Sequence, residues 1–428
     1  MNIRLYNAYI LNQDFDIIFG EVHISNGKIA HIGDNSKTSL AWDRNIDMNN
    51  GLVLHGFSNC HTHSPMTLLR SYSDDLALDE WLNKAIFPIE AHMTAEDCYY
   101  GTLLAILEYL SSGIIAIGDM YFHQDSIIRA CMDSGFKIVG IGSATDINGD
   151  TDRQLEALEQ NYQKYNSYSP LCAYKLGFHA QYTASDNLIK GIAQLARKYQ
   201  DQVCAHLSET RAEVQSCFAR HGMTPPQYLV NSGVFDFGGS AYHCVHLEDK
   251  DIELLKQKNV TVITNPSSNL KLASGIADIE NYAKKGLKIA IGTDGAASNN
   301  SLDMLKEIYL TAVLSKVKNY NPAALTAKDI LKMAITNGAQ ALGISSGALK
   351  EGNDADITAI SFDLPNMQPV NNIINNVVYS SASKNIILTM VKGKILYEKG
   401  EFNIGISADE IYKYCNKAIK RLIQHANN

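Results

Sequence analysis

LVLHGFSNCHTH, residues 52–63, is the stretch from which the rest of the chain can be read. Leu52 to Phe57 is apolar enough for a buried strand, and it leads into Asn59-Cys60-His61-Thr62-His63. On extended backbone, side chains two apart point the same way. His61 and His63 are therefore expected to project together from the strand's C-terminal end. Two imidazoles held that way are half of a metal site. Such a pair alone is more often a surface or core feature, so the other ligands must be sought along the chain.

Outward from that stretch the chain divides by pattern. On the N-terminal side, Ile3–Leu11, Ile17–Ile24 and Lys28–Ile32 read as short strands, with Ser25-Asn26-Gly27 as a hairpin turn. On the C-terminal side, Gly113–Gly118, Lys137–Ile141, Lys175–Phe178, Gln202–Ala205, Ala241–Val245, Val260–Thr264 and Lys288–Gly292 follow Leu52–Phe57 as β-rich runs. Between them, segments such as Ala95–Leu110, Gln154–Tyr165, Asp186–Tyr199 and Asp249–Lys258 carry apolar residues at helical spacing. Eight strand–helix alternations over roughly 290 residues predict an α/β protein built on a (β/α)8 barrel. An open doubly wound sheet is the rival, but no GxGxxG or GxxxxGK[ST] follows any strand.

Past Gly347 the β character returns in Asp356–Ser361, Asn376–Tyr379, Ile386–Val391 and Lys394–Glu398, with a hairpin signal at Val391-Lys392-Gly393-Lys394. The expected organisation is a barrel over residues 56–347, inserted in a small β-sandwich domain built from residues 1–55 and 348–428. Ser407–Gln424 reads as an amphipathic closing helix with Ile411, Cys415, Ile419 and Leu422 on one face, docking on its own protein.

The 428 residues, 46% hydrophobic and 19% charged, are those of a globular protein. A net charge of −8 with no basic run speaks against nucleic-acid binding. The N-terminus lacks the pattern of a signal peptide, and no apolar run approaches the ~18 residues of a membrane span. Eight scattered cysteines without a CxxC read as reduced thiols in a cytoplasmic protein.

Barrel active sites lie at the C-terminal ends of the strands. The first run leads to His61 and His63, the fourth to His179, and the fifth to His206 followed by Glu209. The sixth carries His243 and His246, and the eighth ends in Asp294. Any one of these histidines alone is better explained as a core residue. Their joint placement points to a metal centre.

Those residues sit in recognisable motifs: His61-Thr62-His63-Ser64-Pro65-Met66, His206-Leu207-Ser208-Glu209-Thr210, His243-Cys244-Val245-His246-Leu247, Asn265-Pro266-Ser267-Ser268-Asn269-Leu270-Lys271-Leu272 and Gly292-Thr293-Asp294-Gly295-Ala296-Ala297-Ser298-Asn299-Asn300. Over nearly its whole length the chain resembles the amidohydrolase superfamily, in the branch of heterocycle deaminases and chlorohydrolases, and most the S-adenosylhomocysteine/5′-methylthioadenosine deaminases. The resemblance implies His61, His63, His206 and Asp294 as ligands of one divalent metal, zinc by preference, with iron or manganese accepted. It implies a mononuclear site, because His179 stands where binuclear relatives carry a carboxylated lysine. It assigns Asp294, His243 and Glu209 to proton transfer and orientation, and a homodimer or homotetramer as the assembly.

For the substrate, the resemblance puts Glu80 on a ribose diol, the alternative being an acid at a helix start. Trp81 either walls the pocket or packs. His179 and Glu209 are expected to contact the substrate. Arg153, just after Asn148-Gly149-Asp150, falls near the family's arginine for an amino-acid carboxylate, and a second arginine has no counterpart at Gly142 and Ser143. His55 reads as structural, and Gln181 is left open to a pocket role. The expected activity is hydrolytic deamination of S-adenosylhomocysteine, 5′-methylthioadenosine, 5′-deoxyadenosine or adenosine. A guanine deaminase, a triazine-type hydrolase and a catalytically silent assembly module are the alternatives.

Overall fold

The computed structural model describes residues 1–34, 41–147, 149–344 and 347–426. Five strands come first: β1 (Asn2–Leu11), β2 (Ile17–Ser25), β3 (Lys28–Gly33), β4 (Arg44–Asp47) and β5 (Leu52–His55). Eight more follow: β6 (Phe57–Thr62), β7 (Ile114–Met120), β8 (Lys137–Ile141), β9 (Cys172–Ala180), β10 (Val203–Leu207), β11 (Gly239–His243), β12 (Val260–Thr264) and β13 (Lys288–Ile291). The chain returns to β14 (Ile357–Ile360), β15 (Ile386–Val391), β16 (Lys394–Glu398) and β17 (Glu401–Phe402).

Strands β6 to β13 pair in sequence order, all parallel, with helices between them. This is the expected (β/α)8 barrel, and its strands are buried on both faces, as parallel strands under helices must be. The barrel closes where β13 meets β6. There the Asn59 side chain donates to the Thr293 hydroxyl at 2.7 Å and accepts the Thr293 N–H at 2.9 Å. Gly292 permits the approach, since a Cβ at that position would lie 2.8 Å from the His61 nitrogen.

The opening stretch corrects one expectation. Leu52–Phe57 is not one strand leading to the histidines; Gly56 divides it. Leu52–His55 pairs with β1 and β14 in the second sheet, and Phe57–Thr62 begins the barrel. A side chain at Gly56 would collide with Ile115, 2.2 Å from its Cγ2, so the crossing from one sheet to the other needs glycine.

That second sheet draws on both ends of the chain, in the order β17-β16-β15-β14-β5-β1-β2-β3, with β4 beside β1. The two hairpin turns that the sequence marks are both formed. Asn26-Gly27 and Lys392-Gly393 both have positive φ at both positions, the geometry of a two-residue hairpin. One face covers an apolar core of its own, including Ile3, Leu5, Ile24, Ile357 and Met390. Residues 376–379 are helical rather than extended, as part of Ile373–Tyr379, which starts at Asn372 accepting the Asn375 N–H and buries Val377 and Val378. The closing helix, Ala408–Ala426, lies on Ala95–Ser111. Tyr414 stacks on Tyr100 at 3.9 Å, and Arg421 pairs with Asp97. No helix among the described residues is long and apolar enough to cross a membrane.

Candidate active site

At the C-terminal end of the barrel the ligand atoms of His61, His63 and His206 lie within 4.8 Å of one another, as do those of His61, His243 and Asp294. Three of the four imidazoles are fixed from behind. His63 Nδ1 donates to the Met120 carbonyl, and His206 Nδ1 to the His179 carbonyl at 2.7 Å. His243 Nδ1 meets the Asn269 Oδ1 at 2.8 Å. Such second partners select the tautomer and turn Nε2 inward. His61 is different. Its ring stacks on Tyr242 at 3.8 Å, and both of its nitrogens are buried with no hydrogen-bond partner among the described residues.

Asp294 closes the cluster, with Oδ1 at 3.2 Å from His63 Nε2 and 3.6 Å from His61 Nε2. The Gly295 N–H donates to the same oxygen at 2.7 Å, while the Ser268 and Ser298 hydroxyls donate to Oδ2 at 2.6 and 2.8 Å. Burial works against its charge, but His63 and His61 hold it well below the usual carboxylate range. Three strand ends leave their strands through the left-handed region, Ser208 with φ +50°, His243 with +67° and Asp294 with +62°. Non-glycine residues there cost about 1–3 kcal/mol each, and the surrounding bonds must hold them.

Glu209 faces this cluster from the loop after β10. Its Oε2 is 3.8 Å from His243 Nε2, and the Ser274 hydroxyl donates to Oε1 at 3.2 Å. Burial raises its pKa above the ordinary value; the Asp294 charge adds to this and His243 opposes it. A buried acid with a raised pKa, beside an imidazole and a set of inward-facing histidines, is suited to general acid catalysis.

These groups line a cavity of about 330 Å³ that also takes in His179, Trp81 and Phe122. His179 Nδ1 is held by the Thr183 hydroxyl at 2.9 Å. The Trp81 indole N–H donates to the Ser73 carbonyl at 3.0 Å while its ring walls the cavity.

Two expected substrate residues stand elsewhere. Glu80 is half-exposed and pairs with Lys84 one helical turn on. The carboxyl that does reach the cavity is Glu90, at the end of the same helical stretch. It accepts from the Tyr121 hydroxyl, and burial lifts its pKa to about 7. Arg153 is exposed; its neighbour Gln154 lines the cavity with Ser143 and Thr145. Asn148 lies outside the described residues.

The remaining positions do not line this cavity. The Lys175 ammonium is engaged by Gln202 Oε1 at 2.5 Å and the Ala341 carbonyl at 3.0 Å. His246 bonds the Ser274 carbonyl at 2.8 Å, and His55 the Gly56 carbonyl at 2.9 Å. Gln181 Oε1 accepts from Arg220 at 2.6 Å. Sequence reasoning missed Glu90 and the supporting Asn269, Ser268 and Ser298. The last three lie in motifs already singled out; Glu90 had no signal beyond its charge.

Known proteins agree with this geometry. Residues 52–396 match the amidohydrolase family. A 5-methylthioadenosine/S-adenosylhomocysteine deaminase of Caldicellulosiruptor saccharolyticus is 38% identical over 434 residues, covering 100% of both chains. A 5′-deoxyadenosine deaminase of Methanobrevibacter smithii is 37% identical over 428 residues, covering 98% of each. The crystal structure of an adenosine deaminase from Xanthomonas campestris with bound zinc superposes with a TM-score of 0.94 at 28% identity, covering 99% of this chain and 98% of that one. With inward-turned histidines and an aspartate at the mouth of a (β/α)8 barrel, and with relatives matched from end to end, this chain belongs to the amidohydrolase family.

Proposed function

We propose that the chain is a metal-dependent deaminase of an adenosine derivative, converting the 6-aminopurine to the inosine analogue with release of ammonia. The observation that carries this is His61. An imidazole with both nitrogens buried and no hydrogen bond among the described residues is costly unless a cation takes a lone pair. The substrate class follows the names of the relatives.

His61, His63, His206 and Asp294 would hold one divalent ion, and three imidazoles with a carboxylate suit zinc, with iron or manganese as alternatives. When bound, such an ion makes hydroxide available from water near neutral pH. The protein's own groups do the rest. Asp294 takes the water proton, its Oδ2 already steadied by two serine hydroxyls. His243, braced by Asn269, orients the attacking oxygen. Glu209 gives its proton to the ring nitrogen beside the attacked carbon. A C–O bond forms, the proton held by Asp294 passes to the exocyclic amine, the C–N bond breaks with loss of ammonia, and the proton of the new hydroxyl returns to Glu209.

His179 contributes its free ring nitrogen to the substrate. Glu90 takes the diol role expected of Glu80. With one oxygen engaged by Tyr121, it has another to offer to the ribose hydroxyls. Gln154, Ser143 and Thr145 give that side of the cavity a neutral polar lining. This favours 5′-methylthioadenosine, 5′-deoxyadenosine or adenosine over S-adenosylhomocysteine.

The same proposal places the catalytic unit in residues 56–347, the protein in the cytoplasm with its eight cysteines as buried free thiols, and the chain in a homo-oligomer. Ultraviolet absorbance and released ammonia, followed with metal-loaded protein and a panel of adenosine derivatives, adenine, guanine and triazines, test the activity. An adenine-to-hypoxanthine shift with one ammonia per turnover supports it. Turnover of guanine or triazines alone replaces the substrate, and no turnover at full metal occupancy leaves a silent module.

A further inference from the structure

We propose that Glu213 is a positioning residue for Glu209, an inference that rests on Glu209 being the proton donor. Glu213 is buried in the first turn of the helix Arg211–His221. Its N–H donates to the N-cap hydroxyl of Thr210 at 3.1 Å. Its carboxylate then reaches back out of the helix. Oε1 accepts the Ser208 N–H at 2.8 Å, and Oε2 the Glu209 N–H at 2.7 Å.

This differs from an ordinary capping box, in which the carboxylate at this place bonds the N-cap residue's own N–H. Here it passes over Thr210 and clamps the two preceding amides. They are the ones that matter for the site. Ser208 leaves β10 with φ +50°, and the next residue must send its carboxyl toward His243. Without the clamp, two buried N–H groups lose their acceptor and the turn can relax. The clamp also has a cost that a purely structural acid on the surface would not have. Burial pushes the Glu213 carboxyl up to about 7 against the pull of the amides, with the charge of Glu209 adding to the rise.

The test is made on the metal-loaded enzyme with whichever substrate of the panel it turns over. Glu213→Ala is expected to lower kcat by about tenfold to a hundredfold, with KM changed less than about twofold and the metal content unaltered. Glu213→Gln keeps one acceptor oxygen and should fall between wild type and Glu213→Ala; it carries the test if the alanine variant does not fold. On a Glu209→Gln background either change should cost nothing further, because residues acting as one unit are not additive. A wild-type kcat in Glu213→Ala, a loss that multiplies with that of Glu209→Gln, or a loss that appears only together with loss of metal overturns the proposal. Turnover of guanine or triazines alone sinks the adenosine reading and leaves this test in force on those substrates. An enzyme that turns over nothing sinks both.

Discussion

The backbone N–H of Asp294 donates to the carbonyl of His61 at 2.9 Å. The seam that closes the barrel therefore runs through two of the residues proposed to share one ion. Chelation is expected to abolish turnover and to lower the melting temperature, and zinc, iron or manganese to restore both. An ion at a hundred times its Kd adds about 2.7 kcal/mol of stability. Calorimetry with and without metal checks this, and His61→Ala should hold less than one ion per chain.

Glu209→Gln should lose about 10²- to 10⁴-fold in kcat, the worth of a placed acid, while keeping its metal. Because burial raises the Glu209 pKa, its acid form persists above the ordinary carboxylate range. Activity that needs that proton is lost as pH rises through the shifted pKa. A pH–rate profile should show this basic limb in the wild type, and the residual activity of the variant should lack it.

Glu90→Gln is expected to lower kcat/KM for a ribosylated substrate by about tenfold or more, since a buried group built to read hydroxyls discriminates strongly. Its effect on a free base should be small. Glu80→Ala should leave both unchanged, its carboxylate being committed to Lys84 at the surface. Equal effects of Glu80→Ala and Glu90→Gln would restore the assignment made from sequence.

Arg153→Ala should change the ratio of kcat/KM for S-adenosylhomocysteine to that for 5′-methylthioadenosine by less than about twofold, the range of an exposed charge screened by water and salt. A tenfold drop in that ratio would mean that Arg153 swings in to meet the carboxylate.

Glu307 is fully buried, accepting the Ser267 N–H at 3.1 Å and the Asn299 amide at 2.9 Å, and so ties together the two segments that steady Asp294. Burial raises its pKa from 4.5 to about 7. The folded state therefore holds a proton that the unfolded chain has released. Its contribution to stability is full below about 4.5 and is lost as pH rises through about 7. Melting temperature against pH should fall less steeply over that window in Glu307→Gln than in the wild type.

The barrel and the cluster at its mouth were legible because strand ends sit at fixed places in this architecture, and His61, His63, His206, His243 and Asp294 all fall at or near them. What was not legible depends on helical phase. Residues 78–90 form one helical stretch whose middle, Leu82–Ile86, is a π-turn. The wider turn shifts the face that follows it, so that Glu90 enters the cavity while Glu80 points out. Arg153 and Gln154 show the same sensitivity: neighbours on a helix are about 100° apart, and only one of them can face the substrate. The strand expected at Asn376–Tyr379 failed for another reason. Its Asn-Val-Val-Tyr pattern suits either state, and the capping Asn372 decided for the helix.

The pairing of β5 with β14 has a consequence for the order of events on the ribosome. β5 emerges about three hundred residues before the strand it lies beside. Until then the N-terminal strands present an open edge, the kind of surface that invites pairing with other chains. The barrel, whose strands each pair with the next, can assemble meanwhile from contacts close in sequence. Refolding by dilution should consequently yield more at low protein concentration, where the waiting edge finds its own partner before a neighbour's.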